Sequence, residues 1–226
     1  AEGARGANGY GSSNKKVEEA VTEDGPEFVG EVVTSDITVD ELETIKEITP
    51  EKLERFDVVM TGVRAYNTVA ALANKQNILF DFVKGGKTML VQYNTAGDLV
   101  TENIAPYPLK ISRDRVTEED AEVRFLAPNH PVLNFPNKIT AKDFQGWKQE
   151  QGLYYPNEFD KAFTPILSSN DKGESPKNGA LLIAPFGKGH YIYTGLSFFR
   201  ELPAGVSGAY RLFANMISLG SKTNKL

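Results

Sequence analysis

The 226-residue chain contains no cysteine and only two histidines, His130 and His190. The absence of cysteine excludes disulfide bonds, thiolate zinc sites and every mechanism that uses a cysteine nucleophile. Two histidines are also too few for a histidine-rich metal site. We therefore expect neither a bound metal ion nor a cofactor.

Long apolar runs and a basic surplus are missing as well. No stretch approaches the roughly 18 apolar residues of a membrane-spanning helix, and the first residues lack the basic and apolar regions of a signal peptide. The net charge is −5, and residues 17–57 hold 14 acidic but only three basic residues. This acidic stretch is typical of a solvated face. We expect no membrane span, no signal peptide in this form and no nucleic acid partner, because no basic face with interleaved aromatic residues is visible.

The sequence contains enough apolar residues, 40% of the chain, to form one sizeable core. Residues 1–14 carry four glycines and two serines with almost no bulky apolar group, which predicts a flexible tail. We expect a single α/β domain over residues 15–221, followed by a short tail over 222–226.

An alternation of strand and helix supports the α/β class. The apolar run 58–60 ends at a glycine, a helix with one apolar face precedes Gly85 and Gly86, and a second apolar run covers 88–93. This order is typical of a parallel βαβ unit. The other predicted strands cover 28–33, 109–112, 123–126, 180–185 and 190–194, and the other predicted helical segments cover 15–22, 40–46, 50–55, 141–147 and 207–219. Residues 96–176 otherwise look loop-rich.

Polar side chains follow two neighbouring strands of this predicted sheet. Arg64, Tyr66 and Asn67 come after the first strand, and Gln92 and Asn94 end the next one. Because the carboxyl ends of parallel strands meet at one edge, these residues are predicted to line a crevice there. They suit a hydroxyl-rich or anionic ligand, although the same residues could instead tie the loops to each other.

Three further side chains complete the candidate binding set. Trp147 lies among amides and carboxylates, so its ring either forms a platform for a sugar or fills the core. Arg113 belongs to a charged segment that either contacts a ligand or pairs with its own acidic neighbours. Arg200 is expected to contact a ligand or to pair with Glu150, which is itself a candidate ligand residue.

His130 is the candidate for acid–base chemistry. With Glu150 or Asp143 as partner, it could serve a hydrolase that acts on a glycan. The alternative is a histidine that fixes a loop by hydrogen bonds. His190 lies inside a predicted strand, where cross-strand packing is the simpler interpretation.

Several motifs in a fixed order resemble the C-terminal region of large bacterial PIG-L/LmbE-like sugar deacetylases. The resemblance covers roughly residues 56–221. The motifs that carry it include TGVRAYN at 61–67, VQYNT at 91–95, SRDRVT at 112–117, NHPVL at 129–133 and FRELPAGV at 199–206.

The resemblance implies a glutamine amidotransferase-like domain related to ThuA-like domains. The implied fold is a flavodoxin-like three-layer α/β sandwich with a mainly parallel sheet. The cysteine nucleophile that such a domain would carry just past residues 92–95 is absent, and the deacetylase zinc motif has no match. We therefore expect a non-catalytic accessory domain of an N-acetylglucosaminyl deacetylase, in the periplasm or outside the cell. It would bind carbohydrate, amino sugars included, or pack on the catalytic domain of a longer parent chain.

The sequence leaves two alternative functions open. One is the glycan hydrolase with a His130 and Glu150 pair, and the other is a purely structural interaction domain. An exposed apolar patch would favour the second alternative over ligand binding.

Overall fold

The computed structural model describes residues 45–219, and its centre is a five-stranded mixed sheet in the order β1-β2-β9-β8-β6. Its strands are β1 (Val58–Thr61), β2 (Thr88–Val91), β6 (Thr164–Pro165), β8 (Leu181–Phe186) and β9 (Gly189–Thr194). Two small antiparallel sheets lie outside it, one formed by β3 (Leu109–Val116) with β5 (Gly152–Phe159) and the other by β4 (Arg124–Phe125) with β7 (Leu167–Ser168).

The helices are mostly short. They are α1 (Pro50–Leu53), α2 (Ala65–Thr68), α3 (Gln76–Lys84), α4 (Phe198–Glu201) and α5 (Ser207–Ser218), with 3-10 turns at Ile45–Glu47, Ala70–Lys75, Pro131–Leu133 and Ala141–Phe144. Within residues 45–219, no helix has the length and apolar content needed to cross a membrane.

The central sheet is parallel on one side and antiparallel on the other. Strand β2 pairs in parallel with both β1 and β9, whereas β8 runs antiparallel to β9 and to β6. All four residues of β2 are buried, as expected for a strand that is covered on both faces. The predicted α/β class is therefore confirmed in its coarse form, while the flavodoxin-like arrangement stays a prediction.

Alternate residues of the central strands feed two separate cores. On β2, Leu90 belongs to one core together with Leu212 and Met216 of α5. Its neighbour Met89 belongs to the other, which contains residues of α3. Since successive side chains of a strand point to opposite faces, the sheet carries a helix on each side.

Local patterns predicted most of the regular elements in the described range. Strands β1, β2, β8 and β9 and helices α1, α3 and α5 lie at or within a few residues of their predicted positions. Helix α1 begins at Pro50, as predicted, and the Thr49 hydroxyl accepts a hydrogen bond from the Lys52 N–H at 3.2 Å. The predicted tails, the helix at 15–22 and the strand at 28–33 lie outside the described residues.

The loop-rich interpretation of residues 96–176 missed three strands, the two-residue strands β6 and β7 and the longer β5. Strand β5 spans eight residues and pairs with β3 through several register shifts. Its sequence contains Pro156, and Tyr154 adopts a φ of 52°, so it lacks the regular alternation by which a strand is recognised.

Candidate functional site

The candidate site lies at the carboxyl edge, which we define as the edge where β1, β2 and β9 end. Parallel pairing of these strands brings three loops together there. The Arg64 N–H donates to the Tyr93 carbonyl at 2.8 Å, which joins the loop after β1 to the loop after β2. The strand pairing therefore provides the topology that a crevice shared by these loops requires.

Arg64 lies at the start of α2 with its backbone in the left-handed region, at a φ of 59°. Its side chain is exposed, and no hydrogen bond or ion pair of its guanidinium is found within residues 45–219. The positive charge is close enough to Tyr93 to offset part of the rise that burial causes in the pKa of that phenol. Arg64 therefore stands beside Tyr93 with its donors unused.

Tyr66, Asn67 and Asn94 connect loops to one another. Tyr66 is fully buried, and its hydroxyl donates to the Gln76 side chain at 2.7 Å. The buried Asn94 side chain accepts from the Tyr66 N–H at 2.9 Å, and the Asn67 side chain accepts from the Thr95 N–H at 2.9 Å. These three predicted ligand residues are therefore corrected to architectural ones, because their polar atoms are already paired inside the protein.

Gln92 is half-buried, and its amide donates to the Thr61 carbonyl at 3.2 Å. The side chain thus links the ends of β1 and β2, and it remains partly accessible at the carboxyl edge.

An aromatic cluster, which we define as Tyr93, Tyr154 and Phe199, lies at the carboxyl edge. The rings of Tyr93 and Tyr154 stack with their centroids 6.1 Å apart and their planes at 9°, and the Phe199 ring lies 5.2 Å from Tyr93. All three rings are partly exposed. The Arg200 guanidinium lies over the Phe199 ring at 4.9 Å.

Glu150 is a buried carboxylate between two arginines. Its side chain is 3% exposed, and it pairs with Arg115 and, at 3.2 Å, with Arg200. Of the two contacts considered for Arg200, a ligand or Glu150, the structure contains the one with Glu150. One carboxylate thus faces two guanidinium groups, which leaves an excess of positive charge.

A half-open surface pocket of about 350 Å³, called the cavity below, adjoins the aromatic cluster at Tyr154. It is lined by Arg113, Arg115, Leu153 and Tyr154. Arg113 is exposed, and among the described residues its guanidinium has no hydrogen-bond or ion-pair partner. The alternative that this charged segment pairs with its own acidic neighbours is therefore wrong. Residues 109–116 form strand β3, and Arg115 pairs with the distant Glu150.

Trp147 does not offer its ring to a ligand. It is 1% exposed, its Nε1–H donates to the Asp143 carbonyl at 2.9 Å, and its ring stacks on Phe144 at 5.5 Å. The sugar platform predicted for this residue is corrected to a core position. The rings of the aromatic cluster, in contrast, are partly exposed.

His130 is not brought together with its proposed carboxylate partners. Its Nδ1 accepts from the Val132 N–H at 3.1 Å. Burial, followed by the charge of His190 at the amino end of β9, lowers the pKa of His130. Glu150 instead lies beyond the carboxyl end of that strand, where its carbonyl accepts from Ser197. The histidine thus fixes a loop.

Asp143, the second proposed partner, is engaged elsewhere. Its Oδ1 lies 2.7 Å from Nε of Arg211, and its Oδ2 accepts from the Thr140 N–H at 2.7 Å. The acid–base pair required for the hydrolase alternative is therefore absent for both carboxylates within the described part of the chain. In the same range, no group of three potential metal ligands is found.

Sequence reasoning missed Glu201, a buried carboxyl two residues from Phe199 of the aromatic cluster. Its side chain accepts from the Lys148 N–H at 2.8 Å and lies 3.1 Å from the Ser197 hydroxyl. Burial raises the pKa of Glu201 to about 7. Only its position next to Arg200 pointed to it, since a lone glutamate in a helical stretch gives no sign of burial.

The aromatic and arginine residues of the site were partly visible in the sequence. Tyr93 stands between the candidates Gln92 and Asn94, and Arg115 is two residues from Arg113. Tyr154 belongs to the same aromatic segment as Trp147. These residues are close in sequence to predicted candidates. Whether Trp147 or Tyr154 faces the solvent depends on how β5 packs against β3.

No protein-family model and no curated protein sequence matches the chain. Among solved structures, it is similar to the cytoplasmic protein STM3548 from Salmonella typhimurium, with 14% identity, coverage of 75% of this chain and 74% of that one, and a TM-score of 0.51. The likeness shows the fold alone.

Two other similar structures have TM-scores below 0.5. The cytoplasmic protein STM1381 from Salmonella typhimurium LT2 has 12% identity, coverage of 76% and 74%, and a TM-score of 0.48. A β-galactosidase from Rahnella sp. R3 has 14% identity and a TM-score of 0.39, and the match covers 73% of this chain but only 23% of that one.

The predicted periplasmic or extracellular location is contradicted by this comparison. One structure with which this chain shares its fold is that of a cytoplasmic protein, STM3548. At 14% identity this likeness removes the support for an exported protein without assigning a compartment to the chain.

Proposed function

We propose that this chain is a non-catalytic accessory domain that binds carbohydrate at the carboxyl edge of its sheet. The observation that carries the proposal is the aromatic cluster, whose partly exposed rings lie among arginine donors. Aromatic faces pack against the apolar faces of sugar rings, while guanidinium groups donate to hydroxyl and anionic oxygens.

The association with a sugar deacetylase is part of the same proposal. It is supported by the motif resemblance over residues 56–221, which includes the TGVRAYN, VQYNT and FRELPAGV segments that build the carboxyl edge. In this proposal the domain holds a glycan next to a PIG-L-type catalytic domain.

The two alternatives receive less support. The hydrolase would need His130 beside Glu150 or Asp143, and all three have other partners. For a purely structural interaction domain, the exposed large hydrophobic residues of the described range are Met60, Val69 and Leu126, which lie on three different segments.

The test is calorimetric titration of the chain with chitotetraose and with tetragalacturonate, using two matched tyrosine variants. Tyr93→Leu removes the central ring of the aromatic cluster. Tyr107→Leu is the control, because Tyr107 donates to the Pro185 carbonyl near the amino end of β9, at the opposite edge. We expect saturable binding of at least one oligosaccharide, weakened about tenfold by Tyr93→Leu alone.

Two results would overturn the proposal. One is the absence of binding to both oligosaccharides. The other is an equal loss of affinity in Tyr93→Leu and Tyr107→Leu, since the bound sugar would then not contact the aromatic cluster.

A further inference from the structure

Resting on the proposed carbohydrate binding, we infer that the cavity beside the aromatic cluster is an anion subsite that selects sugars carrying a carboxylate or sulfate group. The cavity holds about 350 Å³ and is lined by Arg113, Arg115, Leu153 and Tyr154. Tyr154 belongs to both the cavity and the aromatic cluster, so one ligand can contact the two together.

The two lining arginines differ in their partners, and this difference defines the subsite. Arg115 is anchored by its ion pair with the buried Glu150, which engages Nη2 of its guanidinium. Arg113 has no partner of this kind among residues 45–219. A guanidinium has five N–H donors and no acceptor, so Arg113 presents an unused fork for an anionic oxygen.

The residues that line the cavity include two arginines and no acidic residue, which favours the same ligand class. Glu150 faces both Arg115 and Arg200, so its single negative charge is shared between two guanidinium groups. Arg113 adds a third positive charge. The acidic residue nearest in sequence, Asp114, lies between Arg113 and Arg115 on β3 and is less exposed than either.

The geometry also separates this site from a generic basic surface. Lys110, on the same strand, is paired with Glu158 of the neighbouring strand β5 at 2.8 Å. Each of Lys110 and Arg113 contributes one positive charge to β3, but only Arg113 lines the cavity. Lys110→Ala and Arg113→Ala therefore change the net charge by the same amount, and only Arg113→Ala alters the cavity.

The experiment compares tetragalacturonate with its full methyl ester, which keeps the sugar chain and removes the charge. A sulfated carrageenan tetrasaccharide supplies sulfate without carboxylate. Chitotetraose reports carbohydrate binding that does not depend on charge. Affinities are measured for the unaltered chain, Arg113→Ala and Lys110→Ala at low and high salt.

We expect tetragalacturonate or the sulfated tetrasaccharide to bind at least about tenfold more tightly than the methyl ester, which corresponds to about 1.4 kcal/mol. Arg113→Ala should abolish this preference and Lys110→Ala should retain it. Added salt should reduce the preference, because a partly exposed ion pair is screened. Preference for only one of the two acidic ligands supports the subsite and assigns it to that anion.

The remaining outcomes overturn the inference in distinguishable ways. Equal binding of the acidic ligands and the methyl ester, or binding of chitotetraose alone, removes the anion subsite and leaves the proposed function intact. An equal effect of Arg113→Ala and Lys110→Ala reduces the preference to net charge. Failure of every oligosaccharide to bind overturns both proposals.

Discussion

Arg200 and Glu150 form an ion pair across the carboxyl edge, with Nη2 of Arg200 3.2 Å from Oε1 of Glu150. The glutamate is almost completely buried, and Arg115 contacts its other oxygen. Arg200 also lies over the ring of Phe199. The pair thus links the cavity side of the site to the aromatic cluster through a single carboxylate.

Glu150→Gln should lower the free energy of unfolding by about 1–3 kcal/mol, because two arginines lose their shared anionic acceptor. Glu158→Gln is the control, since the Lys110–Glu158 pair is exposed and should contribute about 0–1 kcal/mol. Urea denaturation of both variants measures the difference. Equal stabilities would show that the buried carboxylate contributes nothing beyond an exposed one.

Glu201 should make stability depend on pH. Burial raises the pKa of Glu201 to about 7. The pKa of a glutamate in an unfolded chain is about 4.3. Between these values the folded state holds a proton that the unfolded state has lost, so the free energy of unfolding should fall as the pH rises from about 4.5 to about 7.

Glu201→Gln should remove this fall, because glutamine does not titrate. The variant should still fold, since the glutamine amide can accept from the Lys148 N–H and donate to Ser197. Urea denaturation at several pH values checks both chains. A pH dependence that is unchanged in Glu201→Gln would contradict the assignment of the titration to this residue.

Asn94→Ala should destabilise the fold by about 1–3 kcal/mol, because the buried Tyr66 N–H loses its acceptor. Arg64→Ala should change stability by less than about 0.5 kcal/mol, since the Arg64 side chain is exposed. Thermal and urea unfolding of the two variants test the division between architectural and ligand-facing residues. A stable Asn94→Ala variant would return Asn94 to the set of candidate ligand residues.

Gly208→Ala should cost about 2–3 kcal/mol even though alanine favours helices, because a Cβ at this position in α5 would overlap the backbone of Asp143. Gly62→Ala is the matched control, since a Cβ there meets no atom within 4 Å. The free energies of unfolding compare the two. If Gly208→Ala were as stable as Gly62→Ala, the close approach of α5 to the Ala141–Phe144 turn would be in error.

The carboxyl edge illustrates how far sequence reasoning reaches. Glycine stops and short apolar runs placed β1 and β2 as neighbours, so the polar segments after them were expected to meet. They do meet, but Tyr66 and Asn94 turn inward while Arg64 stays exposed. Aromatic and amide side chains suit both a core and a binding surface, and the sequence pattern does not distinguish these uses.

By itself, the sequence determined the α/β class, most strands and helices of the described range and the absence of cysteine chemistry, because these follow from local periodicity and composition. The tertiary structure alone decided that Trp147 is buried, that Glu150 joins Arg115 to Arg200, and that Tyr93 stacks on Tyr154. These contacts join residues from 35 to 61 positions apart in the chain. They depend on the irregular pairing of β5 with β3 and on the loops of the carboxyl edge, which no local pattern specifies.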